Sequence, residues 1–149
     1  MTPTLIGRWQ TRTLLLATAG LGLSLLFALA YGSSLFFVVL LYVWLFGLAW
    51  DAIYVVLQRF RWDRDWPSAF VVINGFVEGL LIYALIAWVG LPGIPAGAVP
   101  PELFAAHYGL VWLSVFLLSE GPMRAIFPFW RFHGGRAFPQ VSRSEHRRG

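Results

Sequence analysis

Four apolar blocks dominate the sequence, at residues 13–31, 35–57, 68–89 and 103–126. Each is close to the ~20 residues that, at ~1.5 Å of rise per residue, cross a ~30 Å hydrocarbon core. Lipid offers no hydrogen-bond partners to the backbone, so segments of this length and polarity must satisfy their own peptide groups as helices. Composition agrees: 58% of residues are hydrophobic and only 12% charged, against about 25% charged in soluble domains. The expected fold class is therefore an all-α integral membrane protein, a four-transmembrane-helix bundle with both termini on the same side.

Orientation follows from arginine, because all 11 basic residues are Arg. Arg8 and Arg12 precede the first block, and Arg59, Arg61 and Arg64 lie between the second and third. Arg124 and the basic residues after it close the chain. The two remaining connections contain none, an alternation that places the arginine-bearing segments in the cytoplasm by the positive-inside rule. The organisation read from this is a cytoplasmic amino-terminal segment (1–12), spans at 13–31 and 35–57, and a charged cytoplasmic loop (58–67). A third span (68–89), an outer loop (90–102), a fourth span (103–126) and a cytoplasmic interfacial segment with a basic tail (127–149) follow. The expected location is the cell (cytoplasmic or inner) membrane, multi-pass. Trp9, Trp62, Trp66, Trp88 and Trp130 fall at the interfaces this topology defines, where amphipathic rings settle.

Two competing readings fit the sequence less well. Arg8, Arg12, an apolar run and Ala28-Leu29-Ala30 imitate a cleavable signal peptide, yet the run exceeds the 7–15 residues or so of a signal core. The net charge of +4 suggests nucleic acid only if topology is ignored, so no nucleic-acid partner is expected. The expected partners are membrane lipids and either a membrane protein or further copies of the chain; the arginines of the tail suit anionic head groups.

Polar residues inside hydrocarbon are costly and mark function or specific packing. Asp51, Asn74, Glu78, His107 and Glu120 interrupt the apolar blocks. Counted by helix rise, Asp51, Asn74 and Glu120 fall at one level about 10 Å inside the cytoplasmic edge, with Glu78 about one turn deeper. With Arg124, these residues form the candidate buried polar cluster: Asp51, Asn74, Glu78, Glu120 and Arg124. Glu78 reads either as a neutral acid hydrogen-bonded to a helix neighbour or as a reversible proton carrier; above it the third span offers only Tyr83 as a hydroxyl, and His107 near the outer start of the fourth span is a candidate terminus. Glu120 and Arg124 are i, i+4 neighbours in the order that favours an ion pair, with Gly121-Pro122 between them. Asp51 could instead pair with Arg124 across the bundle.

Helix packing is expected at Gly20, Ser24, Gly75 and Gly79. Gly75 and Gly79 form G-x-x-x-G, and the small-residue repeat Gly20, Ser24, Ala28 makes the first helix their expected partner. The densest polar motif, Arg61, Trp62, Asp63, Arg64, Asp65 and Trp66, reads as a charge-paired hairpin or as a partner-docking loop, since adjacent Trp and Arg are effective binding anchors.

No cysteine is present, which removes disulfides, thiolate nucleophiles and Cys-ligated metal. His107 alone among histidines falls in a span, so a bis-histidine haem is not expected, nor is any metal site. No hydrolase, nucleotide-binding or metalloprotease motif occurs. No cofactor is predicted, although the aromatic stretch of Trp44, Phe46, Trp50 and Tyr54 leaves room for a bound lipid, quinone or pigment. The expected function is accordingly noncatalytic: an accessory or structural subunit of a larger membrane assembly. A proton-linked transporter or channel using a buried carboxylate is the alternative, and an intramembrane lipid-modifying enzyme the third reading.

Overall fold

The computed structural model describes residues 5–59 and 68–121, with the side chains of 58, 59, 68–71 and 120 excepted. The described chain is helical and contains four helices long and apolar enough to cross a membrane. Helix α1 covers Leu5–Tyr31 and α2 covers Leu35–Arg59. Helix α3 runs through Ser68–Ala84 and continues as a π-helical turn, Leu85–Val89; α4 covers Pro101–Glu120. The charged segment 61–66, Arg124 and the tail 127–149 lie outside the described residues.

Helix boundaries follow from local chemistry. α1 ends where Gly32 takes a left-handed conformation (φ 63°) and donates its N–H to the Ala28 carbonyl, a geometry that glycine adopts without strain. α4 opens on Pro100-Pro101, with Pro101 in the first turn, where a missing N–H costs nothing, and Glu102 near the positive helix end. It stops at Gly121, just before Pro122.

The helix of α1 extends beyond the apolar block 13–31 on its amino-terminal side. The helix begins at Leu5, not at residue 13, because nothing between Leu5 and Gly32 breaks it; a π-helical turn at Leu16–Gly20 is absorbed within it. A π turn widens the backbone and unpairs a carbonyl. Thr18 compensates, its hydroxyl donating to Leu14 O at 2.8 Å and Leu15 O at 3.3 Å.

The helices pack in a ring in which α1 and α3 each touch α2 and α4. The shared core contains Leu16 from α1, Val39, Leu40 and Val43 from α2, Ile82 and Ile86 from α3, and Phe104, Tyr108 and Val111 from α4. The small-residue stripe of α3 faces α4, not α1 as the sequence spacing suggests. A Cβ on Gly75 would run into Trp112 and one on Gly79 into Tyr108, and the Tyr108 hydroxyl donates to Gly75 O at 2.6 Å. The physical reason is that the flat stripe accommodates two aromatic rings, themselves i, i+4 on α4, as readily as a second backbone. Gly20 instead lies against Leu40 of α2.

The connection between α3 and α4 folds back over one end of the bundle. Leu91-Pro92-Gly93-Ile94 forms a tight turn closed by Leu91 N–H to Ile94 O (2.9 Å) and Ile94 N–H to Leu91 O (2.7 Å). Proline at the second position and a glycine with φ 86° at the third suit a type II turn. Ile94 is fully buried and Val99 nearly so, and Tyr42 of α2 ties the loop down by donating to Pro92 O at 2.9 Å.

The aromatic-on-glycine seam predicts that Gly79→Val destabilises the bundle by about 1–3 kcal/mol through overpacking. Gly22→Ala, where an added Cβ meets nothing within 4 Å, should leave thermal unfolding in detergent unchanged or slightly raised.

Candidate functional site: an arginine shared by two buried carboxylates

Arg12 lies two turns into α1, about 10 Å along the helix from Leu5, level with the polar layer expected from Asp51. Its side chain crosses the interior to α3. Nε donates to Asp51 Oδ2 at 2.9 Å and Nη2 to Asp51 Oδ1 at 3.4 Å. Nη1 donates to Glu78 Oε1 at 3.1 Å, and Nη2 also reaches Glu78 Oε2 at 3.4 Å. One planar guanidinium therefore grips a carboxylate on each side, the geometry that distinguishes arginine from lysine. Asp51 and Glu78 are buried, with side chains 10% and 5% exposed.

Gly47 makes this crossing possible. It stands one turn from Asp51 on α2, and a Cβ there would collide with the Arg12 guanidinium. Arg8, one turn before Arg12, adds a second cation: Nη1 lies 3.5 Å from Asp51 Oδ1, and the guanidinium carbon sits 4.0 Å from the centre of the Tyr54 ring, within cation–π range. Two guanidiniums thus face two carboxylates on three helices. The Trp9 indole donates to Leu48 O at 3.1 Å and the Trp44 indole to Thr13 Oγ1 at 2.9 Å, fastening α1 to α2 on either side of the cluster.

Of the residues singled out in the sequence, the structure brings Asp51 and Glu78 together through Arg12. Asn74 is half-buried one turn from Glu78, and its Nδ2 has no hydrogen-bond partner among the described residues. The Glu120 side chain and Arg124 lie outside the described residues, as does the segment Arg61, Trp62, Asp63, Arg64, Asp65 and Trp66. Arg8, Arg12 and Gly47 were missed as site residues. In the sequence the arginines read as orientation signals preceding a span, whereas their i, i+4 spacing on an unbroken helix puts both on one face.

A second polar pair lies farther along the bundle. Ser24 Oγ and His107 Nε2 are 2.9 Å apart and both fully buried, while Phe27 and Phe36 each place a ring centroid 5.2 Å from the imidazole. Ser24 thus serves as a hydrogen-bond partner of α4 as well as a small packing residue. Among the described residues there is no group of three or more potential metal ligands.

Removing one member of a buried ion pair leaves the other charge uncompensated, at a cost of about 3–5 kcal/mol. Arg12→Leu should therefore abolish or severely reduce the folded fraction in detergent, and the triple replacement Arg12→Leu, Asp51→Asn, Glu78→Gln should recover most of it. Gly47→Val should mimic Arg12→Leu by evicting the guanidinium. Equal stability of wild type and Arg12→Leu would show that the cluster contributes nothing.

Compared with known proteins, the chain matches no family model, no curated protein and no solved structure.

Proposed function

We propose that the chain is a noncatalytic, multi-pass subunit of the cytoplasmic (inner) membrane, with both termini cytoplasmic, that serves as an accessory or structural component of a larger membrane assembly. The observation carrying this reading is the sealing of the bundle axis. The Arg12, Asp51 and Glu78 side chains satisfy one another, and Ser24 lies 12 residues beyond Arg12 on α1, about 18 Å of helix rise. Between the two polar sites stand Leu16, Val39, Leu40, Val43, Ile82 and Val111, each no more than 5% exposed. Ile94 and Val99 cover the end beyond.

A transport path would need polar groups or water through that layer, and a proton carrier would need a carboxylate free to release its counter-ion. Neither is favoured by a charge-balanced cluster below a dry core. Orientation rests on the alternation of arginine clusters, now carried chiefly by Arg59, Arg61, Arg64 and the basic tail.

Extraction in a mild detergent followed by native electrophoresis should show the chain migrating with a larger membrane partner; a small homomer in every detergent would overturn the proposal. In proteoliposomes bearing an imposed pH gradient, the purified protein should not accelerate proton flux. Flux that Glu78→Gln abolishes would establish the transporter reading instead.

A further inference from the structure

The two polar contacts of α1 make a demand on its winding that a uniform α-helix does not meet. Arg12 and Ser24 are 12 residues apart, and at ~100° per residue their side chains would point about 120° apart. With Arg12 held by Asp51 and Glu78, Ser24 would then stand where Leu25 now is, on the exposed face with Leu21 and Leu29, and could not reach His107. The buried stripe meets the same conflict. Thr11 and Gly20 are both buried, yet their spacing would put them about 180° apart, on opposite faces.

The π turn Leu16–Gly20 removes the conflict. The Leu21 N–H bonds to Leu16 O, five residues back, so this turn holds one residue more than an α turn. The helix beyond it therefore keeps the phase it would have with one residue fewer. Arg12 and Ser24 come within about 20° of each other, and the angle between Thr11 and Gly20 narrows to about 80°. The added residue is taken up on the outside, where Ala17 and Thr18 are exposed. Thr18 donates its hydroxyl to Leu14 O and Leu15 O, carbonyls of the preceding turn.

We propose that the π turn of α1 is a register device: by absorbing one residue it lets a single helix hold Asp51 and Glu78 through Arg12 and His107 through Ser24 at the same time. The proposal rests on these two contacts and not on the accessory-subunit reading, so either can fail alone.

Deleting Thr18 from the full chain tests it, because the shortened spacing suits a uniform α-helix. In lipid bilayers the deleted chain should unfold within a few degrees of wild type. Solid-state NMR should still show dipolar coupling from Arg12 to the Asp51 and Glu78 carboxyl carbons. The His107 imidazole ¹⁵N shifts should also match wild type, with Ser24→Ala giving the values without the contact. One alanine inserted between Ala17 and Thr18 adds a residue that a single π turn does not absorb, so loss of one of the two contacts and a lower unfolding midpoint are expected. A helix merely tolerant of length changes would accept both variants with their contacts intact, and one merely sensitive to them would lose contacts or folding in both. Either result would overturn the proposal, as would a deletion that unfolds beside an insertion that does not.

Discussion

The Arg12 guanidinium is the constraint on which the arrangement of α1, α2 and α3 depends. It starts on α1, lies in the gap left by the absent side chain of Gly47, and engages Asp51 through Nε and Nη2 and Glu78 through Nη1 and Nη2. α1 and α3 are diagonal in the bundle, so this contact links helices that otherwise communicate through α2 and α4. In a membrane the hydrophobic effect gives helices little reason to prefer one another over lipid, and association relies on close packing and polar contacts. A shared charge pair is therefore a means of fixing which helices meet and in what rotation. Its stabilising value is a separate matter, since a well-packed apolar replacement of a buried pair can match it; specificity is the role that its geometry suits.

The rest of the bundle separates polar work from sealing. Tyr108 and Trp112 fill the glycine stripe of α3, and the core above the cluster is built mainly of Leu16, Val39, Leu40, Val43, Ile82 and Val111, with the Tyr108 hydroxyl bound to Gly75 O. The Ser24–His107 pair, walled by Phe27 and Phe36, joins α1 to α4 at the far side of that core. Two polar fasteners at different depths, with apolar packing between them, tie α1 to α2, α3 and α4.

Much of this was legible in the sequence, and the losses have identifiable physical causes. Four helices long and apolar enough to cross a membrane could be read because length and hydropathy leave such segments few alternatives. Asp51 and Glu78 stood out because a carboxylate in hydrocarbon needs a reason. Their partner did not, because Arg12 is separated from them by 39 and 66 positions and no local periodicity links such residues. Arg12 also looked like a loop residue, since its charge lowers hydropathy at the very place where the helix is already inside the bundle. Gly47 carries no signal except its position one turn from Asp51. The glycine stripe of α3 was recognised, but a small-residue face does not state whether a backbone or an aromatic ring will occupy it.

The central claim is that Arg12 directly bridges Asp51 and Glu78. Solid-state NMR on the protein in lipid bilayers, with ¹⁵N-labelled arginine and ¹³C-labelled aspartate and glutamate, reads that contact as dipolar coupling between guanidinium nitrogens and side-chain carboxyl carbons. Assignment rests on the loss of the signal in Glu78→Gln and Asp51→Asn. Strong coupling from Arg12 to both carboxyl groups is expected from the 3.1 Å and 2.9 Å contacts. Coupling to neither, or dephasing only consistent with arginines outside α1, would contradict the account.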